Sequence, residues 1–249
     1  MKRRDFIALI GGATAFVPLA ARAQQSDRMR RIGWLDLVPE SDPGAQARVT
    51  IVQQGLAKLG WTVGRNLAID YRWGASDVER GRRAAAELIA LVPDMILCGG
   101  SPAVQALQQS SSTVPVVFVL VAEPVAQGFV QSLARPGGHI TGFSYLEPTV
   151  GAKWLELLKQ IAPRIRRVAY VFSPTASPYA PLFYKSIEGA AATLGVETIT
   201  APARELADME PILAGLEPDG GVIFNADAFI LTNRKLAIDL AARHRLPAI

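Results

Sequence analysis

The sequence predicts an α/β protein made of two doubly wound parallel-sheet lobes joined by a hinge, the second lobe truncated at its C-terminal end. Three observations predict it. Short hydrophobic runs alternate with segments of helical periodicity along most of the chain. The alternation pauses near Glu147 and then starts again. Half of the 249 residues are apolar and only 19% are charged, which suits a packed globular chain and not disorder.

The first 23 residues stand outside that pattern and read as a cleavable export signal. Met1-Lys2-Arg3-Arg4 is basic, Phe6 to Ala20 is apolar but broken by two glycines and Pro18, and Ala21-Arg22-Ala23 has the small-x-small form that a signal peptidase reads. The apolar stretch is shorter than the roughly 20 residues a membrane span needs, so no span is expected after cleavage before Gln24. Arg3-Arg4-Asp5-Phe6-Ile7 fits the twin-arginine export address, with Sec export as the alternative. Residues 24–30 are a polar linker.

In the first lobe, 31–146, strands are expected at 31–35, 66–73, 95–98, 114–119 and 140–143. Between them lie helices at 46–59, where Val49, Val52, Leu56 and Leu59 form one apolar face closed by Gly60, and at 77–91, 101–109 and 124–134. In the second lobe, 147–249, helices are expected at 150–161, 181–194, 205–216 and 228–244, and strands at 168–172, 196–200 and 221–224. Residues 246–249 look like the start of a further strand. Helices between successive hydrophobic strands imply parallel pairing through right-handed crossovers.

Composition excludes several functions. The signal carries Lys2, Arg3, Arg4 and Arg22 against Asp5, so most of the net charge of +4 leaves with it, and nothing points to nucleic acid. Cys98 is the only cysteine, which rules out an intramolecular disulfide and fits a packing role on a strand. The two histidines, His139 and His244, are far apart in sequence, and neither a zincin spacing nor a G-x-S-x-G elbow is present. Accordingly, no catalytic residues, no metal and no cofactor are expected.

Ligands of open parallel sheets sit in the crevice at the carboxyl ends of the strands. The loops there carry Asp36, then Gly100, Ser101 and Pro102, then Glu123, then Gly142, Phe143 and Ser144, and in the second lobe Ser173, Asn225 and Asp227. Gly99-Gly100-Ser101-Pro102 opens a helix whose free N–H groups suit a solute carboxylate, or it is simply a capped helix start. Glu123 either meets a solute ammonium or complements the next helix dipole, and Asp227 has the same two readings.

Several segments resemble a known family. They are Arg31-Ile32-Gly33, Gly60-Trp61-Thr62-Val63-Gly64-Arg65-Asn66, Asp70-Tyr71-Arg72-Trp73, Gly100-Ser101-Pro102-Ala103, Gln127-Gly128-Phe129-Val130, Leu133 to Gly142, Lys153 to Lys159 and Leu240 to Ala248. From about residue 30 to the end the chain is similar to ABC-transporter substrate-binding proteins of the TrpX-like family. That resemblance implies a type I periplasmic-binding-protein fold, hinge closure on a small solute (an amino acid or an organic or aromatic acid), and an ABC permease as partner in the inner membrane. It places the solute loops at Ser101, Glu123, 142–144 and 225–227. The loop 173–177 lacks the Asn and Glu of amino-acid-binding relatives, and the family continues past Ile249 with a return to the first lobe. The alternatives are an exported α/β enzyme or a periplasmic ligand sensor without a transport role.

Overall fold

The computed structural model describes residues 28–74, 78–110, 112–216 and 219–249. The expected signal 1–23, its cleavage site and most of the linker lie outside the described residues. Two parallel sheets organise the rest. The first contains β1 (Arg30–Asp36), β2 (Leu67–Trp73), β3 (Met95–Gly99), β4 (Val116–Val121) and β5 (Ile140–Ser144), in the order β2-β1-β3-β4-β5. The second contains β6 (Arg167–Phe172), β7 (Glu197–Pro202) and β8 (Gly220–Phe224), in the order β7-β6-β8. Every pairing between these strands is parallel. After β5 the chain passes from one sheet to the other through residues 145–149.

The helices follow the strands as alternation demands: α1 (Pro43–Lys58), α2 (Val78–Ala90), α3 (Ser101–Gln108), α4 (Val150–Ile161), α5 (Ala180–Leu194), α6 (Met209–Ala214), α7 (Ala228–Thr232) and α8 (Arg234–Arg243). The second sheet is filled on both faces. Leu155, Leu158, Tyr170, Phe183 and Ile187 pack on one side, and Val171, Met209, Leu213, Val222 and Leu240 on the other. Each such fully buried side chain contributes about 1.5–3 kcal/mol of transfer free energy. The first sheet has its main core on one face, where Leu35, Leu88, Ile96, Val104 and Phe118 meet α2 and α3, while Trp34 is buried against Tyr71 on the other.

Two expectations are corrected and the bounds of a third element shift. Residues 124–134 form a chain of turns and not a helix, because Glu123 and Gly128 both adopt positive φ (49° and 72°), which no right-handed helix accommodates. The single helix expected at 228–244 is two, broken at Asn233, whose side-chain amide donates to the Phe229 carbonyl. The apolar face of α1 is only partly covered, with Val49, Val52 and Leu56 half-buried. Only Ala45 of that helix is buried, and Leu59 is 77% exposed. The helix begins earlier than its periodicity indicates because Asp42 caps it, accepting from Ala45 N at 2.9 Å, with Pro43 following.

The last residues do continue the second sheet. Ile249 N donates to the Val222 carbonyl at 3.1 Å, and Phe224 N donates to the Ile249 carbonyl at 2.9 Å. No helix among the described residues is long and apolar enough to cross a membrane.

Candidate functional site

The carboxyl ends of the two sheets face each other across a cavity of about 230 Å³. Leu37 and Pro102 wall it from the first lobe. Ser173, Thr175, Ala176, Arg204, Ala228 and Phe229 wall it from the second. Two contacts bridge the lobes beside it. Arg234 pairs with Asp42 at 2.7 Å, and the Tyr145 hydroxyl donates to the Ala226 carbonyl at 3.0 Å.

Beneath the second-lobe wall lies a buried polar network. Asp227, 2% exposed, accepts from Ile230 N (2.9 Å) at one carboxylate oxygen. At the other it accepts from Ser173 N (2.9 Å) and Asn225 Nδ2 (3.3 Å), with the Ser177 hydroxyl also at 2.9 Å. Asn225 Nδ2 donates to Ser177 Oγ as well, and Asn225 Oδ1 accepts from the Tyr170 hydroxyl at 2.8 Å. Burial pushes the Asp227 carboxyl above the ordinary carboxylate range, while the N–H and hydroxyl donors pull it back only in part. Burial, with the negative field of Asp227 behind it, likewise raises the Tyr170 hydroxyl. The network ties the loop after β6 to the loop after β8 and caps α7.

The first-lobe wall is held similarly. Asp36, 3% exposed, pairs with Arg48 at 2.7 Å and accepts from Val38 N at 3.3 Å. Burial raises its carboxyl and Arg48 lowers it, with burial the larger effect. Ser101 Oγ accepts from Gln127 Nε2 at 2.9 Å. Gly100, at φ 85°, makes the left-handed turn into α3 that a Cβ would strain.

The residues expected from sequence therefore separate into groups. Pro102 and Ser173 line the cavity. Asp36, Gly100, Ser101, Asn225 and Asp227 stand behind it, their polar groups engaged with the protein. Glu123, Gly142, Phe143 and Ser144 do not line it. Phe143 is 70% exposed, and Gly142 is explained by packing, because a Cβ there would overlap the Phe118 carbonyl oxygen. Arg204 and Phe229 were missed. Arg204 follows β7 and so obeys the same strand-end rule as the loops that were found. Phe229 gave no signal apart from its helix. Among the described residues, no group of histidine, cysteine and acidic side chains is arranged to hold a metal.

A family model described as "ABC transporter substrate binding protein" matches residues 37–249. The chain belongs to that family. A tyrosine-binding protein of Clostridioides difficile is 23% identical over 228 residues, which is 90% of this chain and 64% of that relative's own length. A conserved domain protein from Vibrio cholerae superposes with a TM-score of 0.79 at 24% identity, covering 89% of this chain and 73% of the other. An ABC domain from Streptococcus pneumonia, solved with L-Trp, superposes at 0.77 with 20% identity, covering 88% and 73%. These likenesses establish the fold of the substrate-binding family, with its type I arrangement of two parallel sheets.

Proposed function

We propose that this chain is the solute-capturing component of an ABC-type uptake system. Residues 1–23 direct its export to the periplasm, by the twin-arginine route. The lobes 31–146 and 147–249 then close on a small solute and present it to a permease in the inner membrane. The observation that carries this reading is the cavity between the carboxyl ends of the two sheets, walled from both lobes. A solute there touches both bodies only when they are close together, so its binding free energy favours the closed arrangement. At about 230 Å³ the cavity is smaller than the roughly 300–1,000 Å³ of drug-sized sites, which fits a metabolite. Relatives that bind tyrosine or were solved with L-Trp support a solute of that size.

Thermal unfolding of the purified chain against a library of amino acids, organic acids, sugars and short peptides tests the reading. A solute that binds only the folded state at a concentration of 100 Kd stabilises it by about 2.7 kcal/mol. Thr175→Trp, an exposed wall position, fills the cavity and should abolish that shift without lowering the stability of the free protein. Silence across the library, or a shift that survives Thr175→Trp, would move the function away from this cavity.

A further inference from the structure

Among the described residues, the cavity wall has a single ionisable side chain, and the sign of that charge restricts what can enter. Arg204 is that residue. It stands in the loop after β7, where its amide donates to the Asp208 carboxylate at 2.7 Å and the Glu205 amide donates to the same oxygen at 3.1 Å. The backbone beneath the guanidinium is thus fixed. The guanidinium itself has no ion-pair partner within 4 Å among the described residues. Its charge also helps to lower the Asp208 carboxyl, and it is a planar group with five N–H donors on a cavity-lining residue, the kind of group that takes a carboxylate in two parallel hydrogen bonds.

Among the described residues, no carboxylate lines the cavity, and the two buried ones at the strand ends are already engaged. Asp36 is engaged by Arg48 and Val38 N. Asp227 is engaged at both oxygens by Ile230 N, Ser173 N and Asn225 Nδ2. The remaining wall is two hydroxyl residues, Ser173 and Thr175, and an apolar surface of Leu37, Pro102, Ala176, Ala228 and Phe229. An ammonium group entering with a solute would be desolvated against that surface with no acceptor carboxylate among the described wall residues to meet it.

Resting on the solute-binding reading above, we infer that the solute is a compact organic acid with an apolar body and no ammonium group, its carboxylate held by Arg204. Phe229 and the prolyl ring of Pro102 then cover the apolar body from opposite lobes. The zwitterionic solutes of the tyrosine- and tryptophan-binding relatives are disfavoured in this cavity.

Calorimetric titration of the purified chain with hydrocinnamate, its amide hydrocinnamamide, and L-phenylalanine isolates each charge on one carbon skeleton. Benzoate and hexanoate extend the acids to other apolar bodies. The expected result is that at least one acid binds, that the matched amide is weaker by about 10- to 100-fold, and that L-phenylalanine is weaker than hydrocinnamate. Arg204→Gln, at an exposed position, should weaken the acid by the same factor and leave the amide unchanged. Arg204→Lys should recover part of the loss.

L-Phenylalanine binding more tightly than hydrocinnamate, or an acid affinity unmoved by Arg204→Gln, overturns the inference while the receptor reading stands. Silence of every probe also overturns it. The receptor reading falls as well only if the broader thermal-shift library is silent too.

Discussion

Asp227→Ala tests whether the network under the cavity is a structural keystone. The substitution leaves the Ser173 and Ile230 amides, both donors to the carboxylate at 2.9 Å, buried without acceptors. Each such orphaned donor costs about 1–3 kcal/mol, or about 2–6 kcal/mol for the two. Part is returned, because the variant no longer carries the desolvation cost that pushes the buried Asp227 carboxyl upward. The expected net loss is about 3–4 kcal/mol, a large share of the roughly 5–15 kcal/mol that stabilises a typical domain. For a chain of this size it lowers Tm by about 6–15 °C.

Asp227→Asn should come within about 1 kcal/mol of the alanine variant. Every partner of the carboxylate can donate, so the amide's NH2 would meet another N–H whichever way it turned. Urea unfolding followed by circular dichroism measures the loss, and amide exchange over β6 and β8 localises it. A cost below about 1 kcal/mol for the alanine variant, or an asparagine variant as stable as the parent, would refute the reasoning.

Gly142→Ala should destabilise by about 1–3 kcal/mol in the same urea assay, because its Cβ would press on the Phe118 carbonyl and ring and force β5 away from β4. Cys98 is fully buried and its thiol is pushed up by burial, so a thiol reagent should modify the native protein only at the rate of unfolding; rapid labelling would contradict its place in the core. The Asp42 carboxyl is raised by burial, but hydrogen bonds from Ala45 N and Arg234 outweigh this and hold it below its ordinary value of 3.8. A lowered folded value means that its contribution is fully present above 3.8 and fades as pH falls through the folded value, so the lobes should separate more readily in acid than at neutrality. Small-angle scattering should show the radius of gyration rising under those conditions, and Arg234→Ala should show the larger radius already at neutral pH; the pair is partly exposed, so its contribution is at most about 1 kcal/mol.

Much of the architecture was legible because buried parallel strands are written as unbroken hydrophobic runs. Val168 to Phe172 and Gly221 to Phe224 announce themselves, and Gly195, with φ 61°, ends α5 where a left-handed C-terminal glycine belongs. What escaped the sequence depends on competition between local and distant partners. At 124–134 the apolar Phe129 and Val130 reach the core from turns, because Gln127 spends its side chain on Ser101 and the Ala122 carbonyl and so anchors the segment in a non-helical path. The stripe on α1 reads as a core face, although burial depends on what lies opposite.

At the site, strand-end loops were the right places to look. Whether a given polar group faces the solute or the protein is decided by partners as distant as the 54 residues between Ser173 and Asp227, and no spacing rule encodes that. Arg204 needed only the same rule applied to one more strand.

The passage through residues 145–149 has a consequence for energetics. Two bodies linked through 145–149, and held among the described residues by a partly exposed ion pair, one hydroxyl contact and the packing of Ala122 against the second-lobe core, behave as half-sites at high effective concentration, in the millimolar range for short flexible tethers. A solute that touches both walls then works as a molecular glue. Its apparent affinity combines what it gains on each half with how often the tether brings the halves together. Shortening or stiffening 145–149 should therefore tune affinity without altering any residue that touches the solute.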